Sequence, residues 1–358
     1  MQSHCMKKYL HKKEVVLESG MTLPQVEVAY HTYGHLNPSG ENAVWVCHAL
    51  TAHSDVSEWW PGMFGPSHVL NPNDYYIVCA NVLGSCYGSS GPLHSSEDSS
   101  TPVYGDFPAI TIRDMVKMHR ALAEHLGLKQ IALGIGASLG GMQLLEWSIE
   151  EPRHFRRIAL IATNAQHSAW GIAFNASQRM AIEADPTFGA PRADAGAKGM
   201  KAARAMALLS YRHYDTYAQQ QHDEDAEKID GYKAEAYQYY QGQKLADRFN
   251  AYSYYVLSKA MDSHHAGRHR GGIAAALQRI QAHALIIGIE SDVLFPLHEQ
   301  RRMAEYIPHA EFRAIHSPFG HDGFLIETKQ INRCLIDFIQ QTTPSSQPNY
   351  RSVNTLTL

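Results

Sequence analysis

The chain of 358 residues has only five cysteines, and no two form a C-x-x-C pair. An odd, scattered set of thiols (Cys5, Cys47, Cys79, Cys86, Cys334) argues against a disulfide framework and for a reducing compartment. Long apolar runs are also missing. The longest are about six residues, such as 284–289, far short of a membrane span. The N-terminal stretch MQSHCMKKYLHKKEVV is basic but lacks an apolar segment, so it is not read as a secretory signal. Charge of one sign is not in excess. Charged residues are 18% and the formal net charge is −4, which excludes the basic surface expected of a nucleic-acid partner or an anionic membrane partner. At 44% hydrophobic residues the chain can bury a core without a staple.

Short, uninterrupted apolar runs stand at 43–49 (AVWVCHA), 75–80 (YYIVCA), 131–135 (IALGI), 158–163 (IALIAT) and 284–289 (ALIIGI). Runs that do not alternate apolar with polar are strands covered on both faces, as in a mostly parallel sheet. Between them lie helical patterns. Residues 111–126 place Ile112, Met115, Met118, Leu122 and Leu126 on one stripe, with Gly127 as a stop. A second helix opens near Ser138, and a last one is expected over 324–339. This alternation predicts an α/β fold with a mostly parallel central sheet. The stretch 164–279 differs: it is rich in Ala, Gln and Tyr, with helix-compatible runs at 198–211 and 231–249 and no convincing strand. The expected organisation is an α/β core over 1–163 and 280–342, a helical lid insertion over 164–279, and a polar tail over 343–358. The cluster HDEDAEK at 222–228 reads as solvated surface.

The sharpest local signal is Gly136-Ala137-Ser138-Leu139-Gly140, a G-x-S-x-G motif that follows one predicted strand and opens one predicted helix. That context puts the serine on a tight turn, hydroxyl exposed, at a helix N-terminus that favours developing negative charge. A dinucleotide-binding turn fits less well, because no G-x-G-x-x-G opens the first strand–helix unit. A nucleophilic serine needs a base, and the base an orienting carboxylate. In the α/β-hydrolase order Ser–acid–His, Asp292 follows the strand at 284–289, with Glu290 as the rival acid. His321 follows in SPFGHDGFL, just before the last helix. The oxyanion hole needs two backbone N–H donors: Leu139, directly after the serine, and Leu50, in the loop HALTAHSD after the first core strand. Most of the other 21 histidines read as solvent-facing or satisfied in place. His264, His265 and His269 are close in sequence, but Arg268 and Arg270 beside them disfavour a metal.

Other segments carry a family resemblance across nearly the whole chain. They are HALT at 48–51, NVLGSCYGSSGP at 81–92, YGDFPAITIRDMV at 104–116, SLGGMQLLEW at 138–147, FNASQRMAIEADPTF at 174–188, ARAMALLSYR at 203–212, MDSHHAGRHRGG at 261–272 and GHDGFL at 320–325. Together they resemble the homoserine O-acetyltransferases, acyltransferases of the α/β-hydrolase fold. The resemblance implies acetyl transfer from acetyl-CoA, as co-substrate, to L-homoserine on the way to methionine, in the cytoplasm, by a homodimer, with no bound cofactor or metal. It assigns Ser138 as nucleophile, Asp292 as acid and His321 as base. It also assigns Arg204 to the amino acid's carboxylate, with Tyr211 about two helical turns along, and Asp322 to its ammonium group. From the residues alone Arg204 would read as a surface arginine, although a seven-residue spacing lets it share a helix face with Tyr211. Ala137, Ser85, Ala52-His53 and Gly323 depart from the family's usual pattern and bear on which donor and acceptor fit. The open alternatives are succinyl transfer, serine as acceptor, a plain esterase, and a scaffold without activity.

Overall fold

The computed structural model describes residues 5–94, 102–341 and 351–352. Among these residues nine strands form one sheet, in the order β1-β4-β6-β5-β7-β8-β9-β10-β11. They are β1 (Lys7–His11), β4 (Val26–Tyr33), β5 (Ala43–Cys47), β6 (Tyr76–Ala80), β7 (Ile131–Ala137), β8 (Phe155–Ile161), β9 (His283–Ile289), β10 (Ala310–Ile315) and β11 (Arg351–Ser352); β2 (Val15–Val16) and β3 (Thr22–Leu23) make a separate small antiparallel pair. β1 and β4 join antiparallel, as do β4 and β6, and every later pairing is parallel. All five predicted runs are strands of this sheet. β1, β4 and β10 were not expected. Of the tail, only 351–352 are described, as a short edge strand beside β10; the rest of 343–358 lies outside the described residues.

The parallel strands read as continuous apolar runs because both faces are covered. In β5, Ala43, Trp45 and Cys47 pack into one core, while Val44 and Val46 pack into the other. Trp45 and Trp147 meet edge to face at 5.0 Å in the first. Trp60, in the second, donates its indole N–H to the Phe324 carbonyl at 2.9 Å.

The short helix α1 (Val56–Trp59) follows β5, and α2 (Ile112–His125) begins with a capping box. The Thr111 hydroxyl accepts from the Asp114 amide, and the Asp114 carboxylate accepts from the Thr111 amide. α3 (Leu139–Glu150) follows β7. Between β8 and β9 the chain is helical: α4 (Ala169–Glu183), α5 (Ala197–Tyr211), α6 (Tyr214–Gln220), α7 (Lys233–Ala246), α8 (Ala251–Asp262) and α9 (Ile273–Leu277). These form the lid-like insertion. α10 (Leu297–Tyr306) packs on β9 and β10. The expected last helix is two pieces, α11 (Gly323–Ile326) and α12 (Thr328–Gln340), with Glu327 between them outside helical geometry (φ −79°, ψ 39°).

Candidate active site

The site starts at the end of β7, the sheet's middle strand. Ser138 has φ 55° and ψ −125°, a conformation that non-glycine residues rarely adopt. Four contacts hold it there. Its amide donates to the Ile161 carbonyl at 3.0 Å. Its carbonyl accepts from the Gly141 and Met142 amides, at 2.9 and 3.2 Å, and from the Thr163 hydroxyl, at 2.9 Å. The flanking glycines are required by space. A Cβ on Gly136 would strike the carbonyl of Gly140, and one on Gly140 would strike the carbonyl of Cys47.

The structure brings Ser138, His321 and Asp292 into one chain of hydrogen bonds. His321 Nε2 lies 2.9 Å from Ser138 Oγ, and His321 Nδ1 lies 2.7 Å from Asp292 Oδ2. All three are buried. The other carboxylate oxygen of Asp292 accepts from the Leu294 and Phe295 amides, both at 2.9 Å, which fixes its plane. Glu290, the rival acid, is out of the set: it points to solvent and pairs with His316 at 3.0 Å. Such a constellation draws the proton from the serine and holds the resulting imidazolium.

Leu139 is the first residue of α3, so its amide has no helical carbonyl to reach. Leu50 sits in the loop after β5, and its amide makes no hydrogen bond to a described residue. The two segments touch where Gly140 abuts the Cys47 and His48 carbonyls. A buried side chain ties them together, and the sequence reading missed it. Gln143 donates to the carbonyls of His48 and Leu139, both at 3.2 Å, and accepts from His119 Nε2 at 2.9 Å. His48 completes the strut, accepting the Val82 amide on Nε2 at 3.1 Å and donating from Nδ1 to the Ala49 carbonyl at 2.8 Å. Burial pushes both imidazoles down to about 4, so they stay neutral near pH 7. Neither imidazole carries a sequence signal beyond its apolar neighbours.

Arg204, Tyr211 and Asp322 also converge. The Arg204 guanidinium lies 5.5 Å from the Tyr211 ring centre, and the Tyr211 ring lies 5.7 Å from that of His321. Arg204 is therefore turned inward, with a buried Nε, and is not a free surface arginine. Asp322 is buried, which pushes its carboxyl above the usual range, while Arg204, Arg212 and His321 pull it back. Arg212 is the other residue missed. Its Nε is 3.2 Å from Asp322 Oδ2. It directly follows Tyr211, so no helical spacing singled it out.

The helical insertion meets the loop that carries His321 along this line. Gly320 has φ 63°, and a Cβ there would press on the backbone of 211–213. The Thr216 hydroxyl donates to the Pro318 carbonyl at 2.6 Å. On the other side, Arg248 donates to the Thr51 carbonyl and the Tyr87 hydroxyl, each at 2.6 Å. No cluster of three or more His, Cys, Asp or Glu side chains able to hold a metal occurs among the described residues. His264 instead bonds the Asn164 carbonyl at 3.1 Å.

A serine on a strand-to-helix turn, with an acid and a histidine arriving later in the chain on the same sheet edge, defines an α/β-hydrolase. The family model described as "alpha/beta hydrolase fold" matches residues 42–328. Within that class the chain belongs to the homoserine O-acetyltransferase family. It is 46% identical over 322 residues to the homoserine O-acetyltransferase of Cyclobacterium marinum, covering 90% of this chain and 92% of that one. Among solved structures, the homoserine O-acetyltransferase from Bacillus anthracis superposes with a TM-score of 0.87 at 24% identity, over 95% of this chain and 99% of that one. The L374D mutant of esterase E22 gives 0.85 at 20%, over 94% and 100%. At such identities the superpositions speak to the fold alone.

Proposed function

We propose that this protein transfers the acetyl group of acetyl-CoA to the hydroxyl of L-homoserine through an acetyl-serine at Ser138. The observation that carries this reading is the 2.9 and 2.7 Å relay from Ser138 to His321 to Asp292 in a chain of this family. His321 takes the Ser138 proton as Oγ attacks the thioester carbonyl, and the Leu50 and Leu139 amides stabilise the oxyanion. The imidazolium returns the proton as the thiolate of CoA departs. The homoserine hydroxyl then gives its proton to His321 and takes the acetyl group, restoring Ser138. Arg204 receives the amino acid's carboxylate beside Tyr211, and Asp322 its ammonium group.

Residues 164–279 act as the lid that shields the acyl-enzyme from water. The lid's outer face exposes Leu209, Tyr214, Tyr239 and Tyr240, which supports a homodimer contact there. Five free cysteines, and no helix among the described residues long and apolar enough to cross a membrane, are in keeping with a cytoplasmic enzyme.

The test pairs acetyl-CoA or succinyl-CoA with L-homoserine or L-serine and follows free thiol and product mass. Acetyl-CoA with homoserine is expected to be fastest, giving the mass of O-acetylhomoserine. A preference for another pair would move the protein to a sister acyltransferase. Thiol release without an acylated amino acid would overturn the reading in favour of a hydrolase.

A further inference from the structure

Beside the carboxylate assigned to the ammonium group lies a set of polar atoms that the chemistry above leaves unused. Arg212, at the C-terminal cap of α5, approaches Asp322 Oδ2 to 3.2 Å. Its guanidinium lies 5.4 Å from the ring centre of Tyr237, on α7. Tyr237 and Tyr217, from α6, meet edge to face at 6.0 Å. Both their hydroxyls are buried without a hydrogen-bond partner among the described residues, as are the Nε atoms of Arg204 and Arg212, so the approach of Arg212 to Asp322 is an ion pair and not an aligned hydrogen bond. The groups facing Asp322 are thus Arg204 and Arg212 from the C-terminal half of α5 and its cap, Tyr211 from α5, Tyr217 from α6, Tyr237 from α7, and its own neighbour His321. The ion pair with Arg212 engages Oδ2 of Asp322, and Oδ1 lies outside it.

A carboxylate this deeply buried is costly to keep ionised without a fixed counter-charge. Arg204 cannot serve that purpose alone if it is to receive a substrate carboxylate. We propose that Arg212 is the positioning residue of the acceptor site: it holds Asp322 as an anion by one oxygen and leaves the other for a primary ammonium group. Stacking on Tyr237 keeps the guanidinium on its far side, out of the acceptor's path. The unpaired Tyr217 and Tyr237 hydroxyls border the same space and supply neutral polar contacts to a short α-amino acid. This deepens, and rests on, the acyl-transfer reading.

The consequence is a division of labour between the half-reactions. The first, from acyl-CoA to the acyl-enzyme, does not use Asp322. The second does. Removing the Arg212 charge lets Asp322 take up a proton at higher pH. A protonated Asp322 binds an ammonium group poorly, so acceptor use declines on the acid side sooner.

The experiment compares Arg212→Met, Arg212→Gln and Arg212→Lys with the parent enzyme. Two quantities are followed against pH: the burst of CoA thiol without acceptor, and kcat/KM for L-homoserine. The acid limb of homoserine kcat/KM is expected to move up by about 1–3 pH units in Arg212→Met and Arg212→Gln. The burst is expected to stay within about twofold, and Arg212→Lys to restore most of the acceptor use near pH 7. 4-Hydroxybutanoate, which lacks the ammonium group, adds a readout that a purely structural role would not move. The preference for homoserine over this analogue should fall at least about tenfold in the uncharged variants. An unmoved acid limb with an unchanged preference overturns the proposal, and so does a burst that falls in step with acceptor use. If Arg212→Met does not fold, Arg212→Gln, with a polar side chain of similar reach, decides the same question. Failure of the acyl-transfer reading would look different: the parent enzyme itself would acylate no amino acid.

Discussion

Ser138 is the residue on which most depends, and its backbone already shows why. With φ at 55°, it is held by contacts to Ile161, Thr163 and the start of α3. Ser138→Ala is expected to abolish the mass increase of one acetyl group on incubation with acetyl-CoA, as read by intact-protein mass spectrometry. The choice of acid is equally local. Asp292 has one oxygen on His321 and the other on two backbone amides, whereas Glu290 faces solvent. Asp292→Asn should lower kcat by roughly 10³–10⁴-fold, and Glu290→Gln by less than about threefold, in a steady-state thiol assay. Sequence order alone left these two acids open, because they lie two positions apart at the same strand end. The hydrogen bonds that separate them come from a loop whose path no motif encodes.

At the scale of elements, Gln143 couples two pieces that must agree, the first turn of α3 and the loop after β5. Gln143→Leu fills a similar volume but cannot brace the His48 carbonyl. It should lower the rate of thiol release by about 10–100-fold while leaving the KM for homoserine near the parent value. Equal losses in both half-reactions with a large fall in Tm would mean that the side chain only supports folding. The central parallel strands were legible because burial on both faces leaves no polar position to interrupt them. β4 (VEVAYHTY) and β10 (AEFRAI) include charged or histidine side chains, and that broke the pattern. That Ser138, Asp292 and His321 come together was legible because the turn and the chain order constrain them. Arg212, Gln143, His48 and His119 were not: each is defined by a partner far away in sequence.

For the whole molecule, several histidines are buried without charge. Burial holds His48, His119 and His167 down to about 4, and His264 down to about 3. Unfolded, each would bind a proton near pH 6.5. Their contribution is therefore fully present above pH 6.5 and is lost as the pH falls from there toward 4. Urea midpoints measured from pH 7.5 to pH 4.5 should fall steeply below pH 6.5. A flat profile would mean that these imidazoles are open to solvent. On the outer surface of the lid, Leu209→Asp together with Tyr239→Glu should convert a dimer to a monomer in sedimentation, if that face is the contact.

The seams between lid and core carry a kinetic consequence. Thr216 bonds the helical insertion to the loop that carries His321, where Gly320 also lies close against residues 211–213, and Arg248 bonds it to the loop that carries Leu50. A roof bonded to both of these loops cannot swing aside without moving them. Traffic of the large thioester and the small amino acid must then pass beneath a stationary roof. The backbone amides of 211–216 and 317–322 should accordingly exchange with deuterium as one unit, at one rate, with or without acyl group on the serine.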